Sequence, residues 1–419
     1  MKNRLAFGLI LLLLAACSTS KSIEKELIAS SGDNSFFTGV SVKNALTGAS
    51  IIEYYSDKYF TPASNVKLFT LYASLKHLKD SVPSFEYSIS GDSLFIKGSA
   101  DPSFFNDSLH KNSLEFLSNK KYQVYLLDED LHDDAYGAGW SWDDYAYGYM
   151  PEKSLFPLYG NTVSIQRDQK GLEIIPSFFE ESVHLDDQPE KRREQDRNVF
   201  YINKSDKTIE RSVPFKTSNQ LVADLLSEKL GDKVTLISAE FKRNFKPFTE
   251  LPYDSLYVKM MKESDNFIAE QLMLQVAYKV VRKYNVALAI DHVLDSSLVD
   301  LPQRPRWVDG SGLSRYNLFT PESMVFLLSK MYQEVPQKRL LSYFPQGGVD
   351  GTLEHSFKEQ SYIQAKSGTL SNNYSLSGYL TTKKGTVLAF SYMNNHYQGS
   401  SNARKEEMSA FFRKLYEHY

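Results

Sequence analysis

The 419-residue sequence contains a single cysteine, Cys17, so no disulfide can form within the chain. Its eight histidines show no His-x-His or His-Glu-x-x-His spacing, which removes the usual grounds for zinc peptidase chemistry. No glycine-rich phosphate loop and no dinucleotide fingerprint occurs, so neither a cofactor nor a metal is expected. Lysine plus arginine (48) nearly balance aspartate plus glutamate (51), and no long basic run breaks that balance, so nothing favours a nucleic-acid partner. Long apolar runs are scarce as well. The run Leu5–Leu14 is too short to be a comfortable membrane span. No internal repeat is evident. What is left, 42% apolar and 13% aromatic, is an ordinary globular composition with material for about two domains.

Lys2 and Arg4 precede that apolar run and Leu14-Ala-Ala-Cys17 follows it, which is the layout of a secretory signal. The pattern resembles the bacterial lipoprotein signal, in which the chain is cut before a cysteine that becomes lipidated. The resemblance implies a signal and lipobox over residues 1–17, lipidation at Cys17, and a tether over 18–35. The processed protein would then be a soluble domain held to a membrane by acyl chains and facing the periplasm. Ser18 after the cysteine is compatible with the outer membrane, which is expected over the inner one. A plain signal with an incidental cysteine is the alternative.

Further along, Gly39–Gly48 and Ser50–Tyr55 read as a hairpin turning around Leu46-Thr-Gly48. From about Ser84 short strand-like runs appear (Phe85–Ser90, Ser93–Lys97, Gln123–Leu127), separated by turn chemistry such as Gly91-Asp92. Trp140 and Trp142 suggest a rigid packed turn, with a ligand site as the alternative, and the mixed-charge run Asp186–Arg197 a solvated loop rather than a binding patch. Helical periods cover Thr217–Leu230, Asp254–Lys262, Asn266–Tyr284, Pro321–Tyr332 and Arg404–Tyr416. Tyr362–Lys366, Tyr374–Thr381 and Val387–Met393 read as strands. The expected organisation is an α+β domain from 36–84 and 246–419, with a mainly β domain inserted at 85–245.

Within Thr61–Thr70, Ser64 and Lys67 lie three apart just after Pro62, at the start of a helical run. Residues i and i+3 share a helix face, and the positive helix N-terminus favours a neutral lysine able to take a serine proton. Alone the tetrapeptide says little: Ser-x-x-Lys also occurs at Ser18, Ser22, Ser108 and Ser118. Two distant stretches single out Ser64. Ser264-Asp-Asn266 lies between helical runs, and Lys366-Ser-Gly-Thr369 ends a strand. In this order the three form the signature set of penicillin-binding proteins and serine β-lactamases. Each answers a need of acyl transfer. Ser64 is the nucleophile and Lys67 the candidate base; Ser264 relays a proton to the leaving amine, helped by the field of Lys366. Asn266 offers an amide to Lys67 and to the substrate carbonyl. The N–H groups of Ser64 and Thr369 suit an oxyanion hole, and the hydroxyls of Ser367 and Thr369 suit a C-terminal carboxylate. Gly368 leaves room for substrate along the strand edge.

Pro62-Ala-Ser-Asn-Val-Lys67, Gly98-Ser-Ala-Asp-Pro102, Gly139-Trp-Ser-Trp-Asp-Asp144, Asp309-Gly-Ser-Gly-Leu313, Gly348-Val-Asp-Gly-Thr-Leu353 and Ala365-Lys-Ser-Gly-Thr-Leu370 resemble the class C low-molecular-mass penicillin-binding proteins. These are D-alanyl-D-alanine carboxypeptidases and endopeptidases. The resemblance runs from about Gly39 to the C-terminus and includes a long insertion between the first two motifs. It implies a transpeptidase-like antiparallel sheet flanked by helices, and a cofactor-free serine carboxypeptidase acting on peptidoglycan stem peptides. Cross-bridges ending in D-alanine are further substrates, and β-lactams would acylate Ser64. It also implies that Asp144, or failing that Asp143, holds an ammonium of the stem peptide; a turn-capping role is the alternative. Asp309 and Ser311 read as structural turn residues. One departure is Ser367, where threonine is more usual; the hydroxyl is kept. A β-lactamase or esterase on the same fold is the enzymatic alternative, and a non-catalytic cell-wall-binding lipoprotein the other. A serine–histidine triad through His355 or His396 is unnecessary beside Lys67.

Overall fold

The computed structural model describes residues 36–79, 81–105, 112–240 and 243–419. The expected signal, the tether and Cys17 lie outside the described residues, as do Ser18, Ser22 and Ser108. The fold is mixed α+β. By contact the chain divides into two compact units, one running up to Tyr72 with Val258–Ser264 and Val293–Tyr419, the other Ala73–Tyr257 with Asp265–His292. The divisions after Tyr72 and Tyr257 fall inside the helices Lys67–His77 and Tyr253–Lys262.

The first unit is built on a five-stranded sheet in the order Ile363–Leu370, Asn373–Thr381, Val387–Asn395, Phe37–Asn44, Ser50–Tyr54. Every pairing in it is antiparallel. The hairpin Phe37–Tyr54 turns where Asn44 Oδ1 accepts from the N–H groups of Leu46 and Thr47, and Gly48 supplies a φ of +71°. Side chains alternate across the sheet. Leu376, Leu380, Phe390 and Val42 share one face with Met408, Phe411, Phe412 and Leu415 of the C-terminal helix Asn402–His418. Those four helix residues recur at i, i+3, i+4 and i+7, so the helix buries one stripe. Tyr379 is on the opposite face, where its hydroxyl donates to the Leu328 carbonyl of helix Pro321–Glu334. That helix begins where Thr320 Oγ1 accepts from the Ser323 N–H, with Pro321 in its first turn.

In the second unit a five-stranded sheet runs Thr235–Ser238, Gln123–Asp128, Ser93–Lys97, Ser81–Ser90, Lys246–Pro252, parallel at its first two pairings and antiparallel at the others. An antiparallel three-stranded sheet (Ile209–Pro214, Thr162–Asp168, Gly171–Ile175) and the parallel pair Val183–Asp186 with Phe200–Asn203 complete its strands. A common core rich in Phe85, Phe104, Phe156, Phe179, Phe200 and Phe215 joins these sheets to helix Asn219–Leu230. This helix has both terminal signals: Ser218 accepts from the Leu221 N–H, and Gly231 closes it in the left-handed region.

Candidate active site

Ser64 stands on a tight turn of 3-10 helix, Ala63–Val66, and the α-helix proper begins at Lys67. A single helix across both residues is the sequence expectation; the structure opens it as a 3-10 turn instead, with Ala63 at a φ of +50° preventing a right-handed helix from extending back before Ser64. In 3-10 geometry side chains three apart eclipse, and Lys67 Nζ donates to Ser64 Oγ at 3.1 Å. The turn is tied to the sheet. Asn395 Oδ1 accepts from the Thr61 N–H at 2.6 Å, its amide donates back to the Thr61 carbonyl, and Asn65 Nδ2 donates to the Ser375 carbonyl. Two glycines press on it: a Cβ at Gly312 would overlap the Ala63 carbonyl, and one at Gly368 would crowd the Pro62 carbonyl and the Ser64 nitrogen. Ser64 is half-buried, whereas Lys67 is fully buried.

A buried ammonium needs acceptors. Besides Ser64, Lys67 Nζ donates to the Ser311 carbonyl at 2.7 Å. That carbonyl is positioned by Asp309, itself buried. Its Oδ1 accepts from the Gly312 N–H and Asn317 Nδ2, and its Oδ2 from the Ser314 N–H. The adjoining Gly310 carbonyl accepts from Thr70 Oγ1 at 2.6 Å. Reading Asp309 and Ser311 as turn residues therefore misses that the turn's backbone serves Lys67. The signal was an aspartate followed by Gly312, Ser314 and Asn317, a spacing that folds a loop around one carboxylate.

Lys366 lies on the edge strand Ile363–Leu370, paired with Ser377, so it faces away from the C-terminal helix. It is fully buried, and its Nζ donates to Ser264 Oγ at 2.8 Å and to the Ser367 carbonyl at 2.7 Å. Burial, and then the charge of Lys67, push Lys366 well below the ordinary ammonium range. Ser264 occupies the bend between helices Tyr253–Lys262 and Asn266–Val281, with a φ of +61°. Ser367 Oγ donates to Thr352 Oγ1 at 2.8 Å, a partner that sequence reasoning did not anticipate, while Thr369 is exposed at the end of the strand. The first unit thus brings together Ser64, Lys67, Ser264, Lys366 and the strand Ser367–Thr369.

Asn266 and Asp144 belong to the second unit. Asn266 Nδ2 donates to the Tyr149 carbonyl at 2.9 Å, and the neighbouring Asp265 caps helix Asn266–Val281 by accepting from the Ile268 N–H. Asp144 ends the 3-10 turn Trp142–Asp144 and accepts from the Tyr149 phenol, whose pKa is raised by burial and then by that bond. The tryptophans of this segment differ. Trp140 packs against Gly137, where a Cβ would overlap its ring, but Trp142 is 74% exposed, so the packed turn expected of both holds for one.

A nucleophile bonded to a buried lysine, beside a second hydroxyl–lysine pair on a sheet edge, defines a class of serine acyl-transfer enzymes. Comparison with known families gives the same class: the chain belongs to the D-Ala-D-Ala carboxypeptidase 3 (S13) family, matched over residues 21–415. It is a serine-type D-Ala-D-Ala carboxypeptidase by family. Among curated proteins it is similar to D-alanyl-D-alanine carboxypeptidase DacB of Haemophilus influenzae, 37% identical over 106 residues, which cover 24% of this chain and 22% of that protein. It is also similar to penicillin-sensitive carboxypeptidase A of Dictyostelium discoideum, 26% identical over 391 residues, covering 74% of this chain and 72% of the other. Among solved structures, penicillin binding protein 4 of Haemophilus influenzae superposes with a TM-score of 0.72 at 21% identity, covering 92% of this chain and 96% of that one. The same protein solved with a β-lactam gives a TM-score of 0.70.

Proposed function

We propose that this chain cleaves the terminal D-Ala-D-Ala bond of peptidoglycan stem peptides through an acyl-enzyme on Ser64, and that β-lactams acylate the same oxygen. The observation that carries the reading is the Lys67–Ser64 contact at 3.1 Å, made by a lysine with no exposure to solvent. In this reading the Ser64 oxygen attacks the penultimate D-alanine carbonyl while Lys67, acting as the neutral amine, takes its proton. The tetrahedral oxyanion is held by the N–H groups of Ser64 and Thr369, each donor contributing about 10²–10³ in rate. As the C–N bond breaks, the departing amine takes a proton through Ser264, which Lys366 polarises. Water then hydrolyses the ester, with Lys67 as the base. Ser367, Gly368 and Thr369 lie on the edge strand of the sheet, which suits an extended peptide adding on as a further strand. The substrate's carboxylate would take hydroxyl and positive field from this strand, Asn266 would hold its amide, and Asp144 would take an ammonium of the stem side chain.

The test pairs fluorescent penicillin labelling with D-alanine release from a pentapeptide, for wild type and Ser64→Ala. Both activities should vanish in the variant; an adduct that survives Ser64→Ala would sink the assignment. A penicillin adduct that turns over rapidly would make the chain a β-lactamase, and a cross-linked dimer given as second substrate reports endopeptidase activity. We also propose that Cys17 is lipidated and holds the domain at a membrane facing the periplasm, the outer one by the serine that follows. Cys17→Ala should move the protein from the membrane fraction to the soluble periplasmic fraction; unchanged fractionation would refute the anchor.

A further inference from the structure

The exposed Trp142 side chain and the charged run 186–197 are left over by this chemistry, and in the structure they wall one cavity. It encloses about 800 Å³ and is lined by second-unit residues alone, among them Trp142, Tyr147, Gln188, Arg192, Asp206 and Arg211. The charged run is therefore not a solvated loop throughout. Its centre, Arg193, is fully buried, donates Nη1 to the carbonyls of Glu194 and Gln195, and accepts the Tyr145 hydroxyl on its own carbonyl. The Arg192 carbonyl accepts from the Tyr201 N–H at 2.9 Å, so the backbone presenting Arg192 is fixed before any ligand arrives.

The charges inside are unbalanced. The rim carries Asp143, Glu190 and Lys191, all exposed and strongly screened by water. Half-buried within are Arg192, Arg211 and Asp206. Neither arginine forms a salt bridge or side-chain hydrogen bond among the described residues; Arg192 lies 4.2 Å from the centre of the Tyr147 ring. Arg211 is held below its usual range by burial and then by the charge of Arg192, with Asp206 opposing the shift. Of the half-buried charges two are guanidinium groups and one is a carboxylate, so the inner part of the cavity carries one net positive charge, set against Asp143, Glu190 and Lys191 at the exposed rim. Each guanidinium also keeps its planar pair of donors unused, the geometry that grips a carboxylate at two points. Trp142 and Tyr147 beside them offer flat amphipathic surfaces to the rest of a ligand.

We propose that this cavity is a second binding site, for a carboxylate-bearing peptide segment of the wall polymer, gripped by Arg192 and Arg211. The choice of peptide rests on the proposed function; the carboxylate rests on the arginines. A site of this kind would hold the polymer by a stem other than the one being cut.

The probe is the tripeptide L-Ala-γ-D-Glu-L-Lys, which lacks D-alanine and is not a substrate, compared with its form amidated at both the glutamate α-carboxylate and the lysine C-terminus. Affinity is measured by calorimetry on the full chain with Ser64 blocked by penicillin G. The free-carboxylate peptide is expected to bind about tenfold more tightly than the amide, and Arg211→Gln and Arg192→Gln to abolish that preference, with Arg211→Lys retaining part of it. Equal affinity of acid and amide for wild type overturns the proposal, and so does a preference that survives both glutamine variants. Binding of inorganic phosphate, with the same arginine dependence and no peptide binding, overturns it as well. If a variant no longer reacts with penicillin and is misfolded, the acid–amide comparison on wild type decides alone. D-alanine release, assayed separately, keeps the two readings apart: release without arginine-dependent binding defeats only the second site.

Discussion

Replacing Gly312 by alanine tests how the nucleophile is held. Gly312 has a φ of +86°, and a Cβ there would overlap the Ala63 carbonyl and crowd the Ser64 nitrogen, both backbone atoms that cannot swing aside. The conformation costs a non-glycine residue about 1–2 kcal/mol. The overlap adds about 1–3 kcal/mol, as overpacking of a rigid contact does. The sum is about 2–5 kcal/mol, relieved partly by moving the loop 309–314 and partly by displacing the Ser64 turn. Displacement by about an ångström costs roughly 10²-fold in rate. Gly385 supplies the control. Its φ is +85°, but apart from its own chain neighbours nothing lies within 4 Å of where a Cβ would stand. Gly385→Ala should therefore lose about 1–2 kcal/mol in urea unfolding and acylate with penicillin at the wild-type rate. Gly312→Ala should lose more stability and acylate about 10²-fold more slowly. If both variants acylate like wild type, or both slow equally, the close approach of Gly312 does not position Ser64 and the reasoning fails.

Two further outcomes are expected. Lys366 has a folded pKa well below 10.5, so between those values the unfolded chain binds more protons and stability rises with pH. The contribution is present above 10.5 and lost as pH falls through the folded value. Lys366→Met should therefore be inactive, and its urea midpoint relative to wild type should be highest at low pH and fall as pH rises; a pH-independent difference would contradict the buried charge. Asp144→Asn should lower kcat/KM roughly fivefold for a stem whose side-chain ammonium is free and leave an acetylated stem unaffected, the scale of one half-exposed charge pair. Equal effects on the two stems would leave Asp144 as a turn residue.

Much of the first unit can be read from its residue pattern, even though its central strands are buried on both faces. Leu376, Leu380, Phe390 and the Met408–Leu415 stripe announce strands and helix before any contact is known. The second unit is less legible. Lys246–Pro252 pairs with Ser81–Ser90 through two irregular registers and carries prolines at positions 247 and 252, so no clean alternation marks it as a strand. At the site, the motif residues could be found from order and spacing. What held them could not. The Asp309 spacing signals a folded loop, but that its Ser311 carbonyl serves Lys67, that Gly312 presses on the Ser64 turn and that Ala63 is left-handed are matters of backbone geometry, which a side-chain pattern does not encode. The same limit explains why the packed turn expected at Trp142 and the solvated loop expected at Arg192 read as unrelated: the loop that unites them is folded around Arg193, a buried residue inside a run of charges.

The sheet of the first unit has a consequence for a chain that emerges from its N-terminus onward. Phe37–Asn44 is paired with Val387–Asn395, Phe37 lying opposite Asn395, and the strand bearing Lys366 joins from the same late segment. Early in synthesis Ser64 and Lys67 are present in sequence, but the asparagine that grips Thr61, the loop that gives Lys67 its carbonyl and the edge strand are still to come. Contacts between such distant segments form last. The nucleophile is therefore armed only when nearly the whole chain has arrived, and an unfinished or truncated chain carries an inert serine.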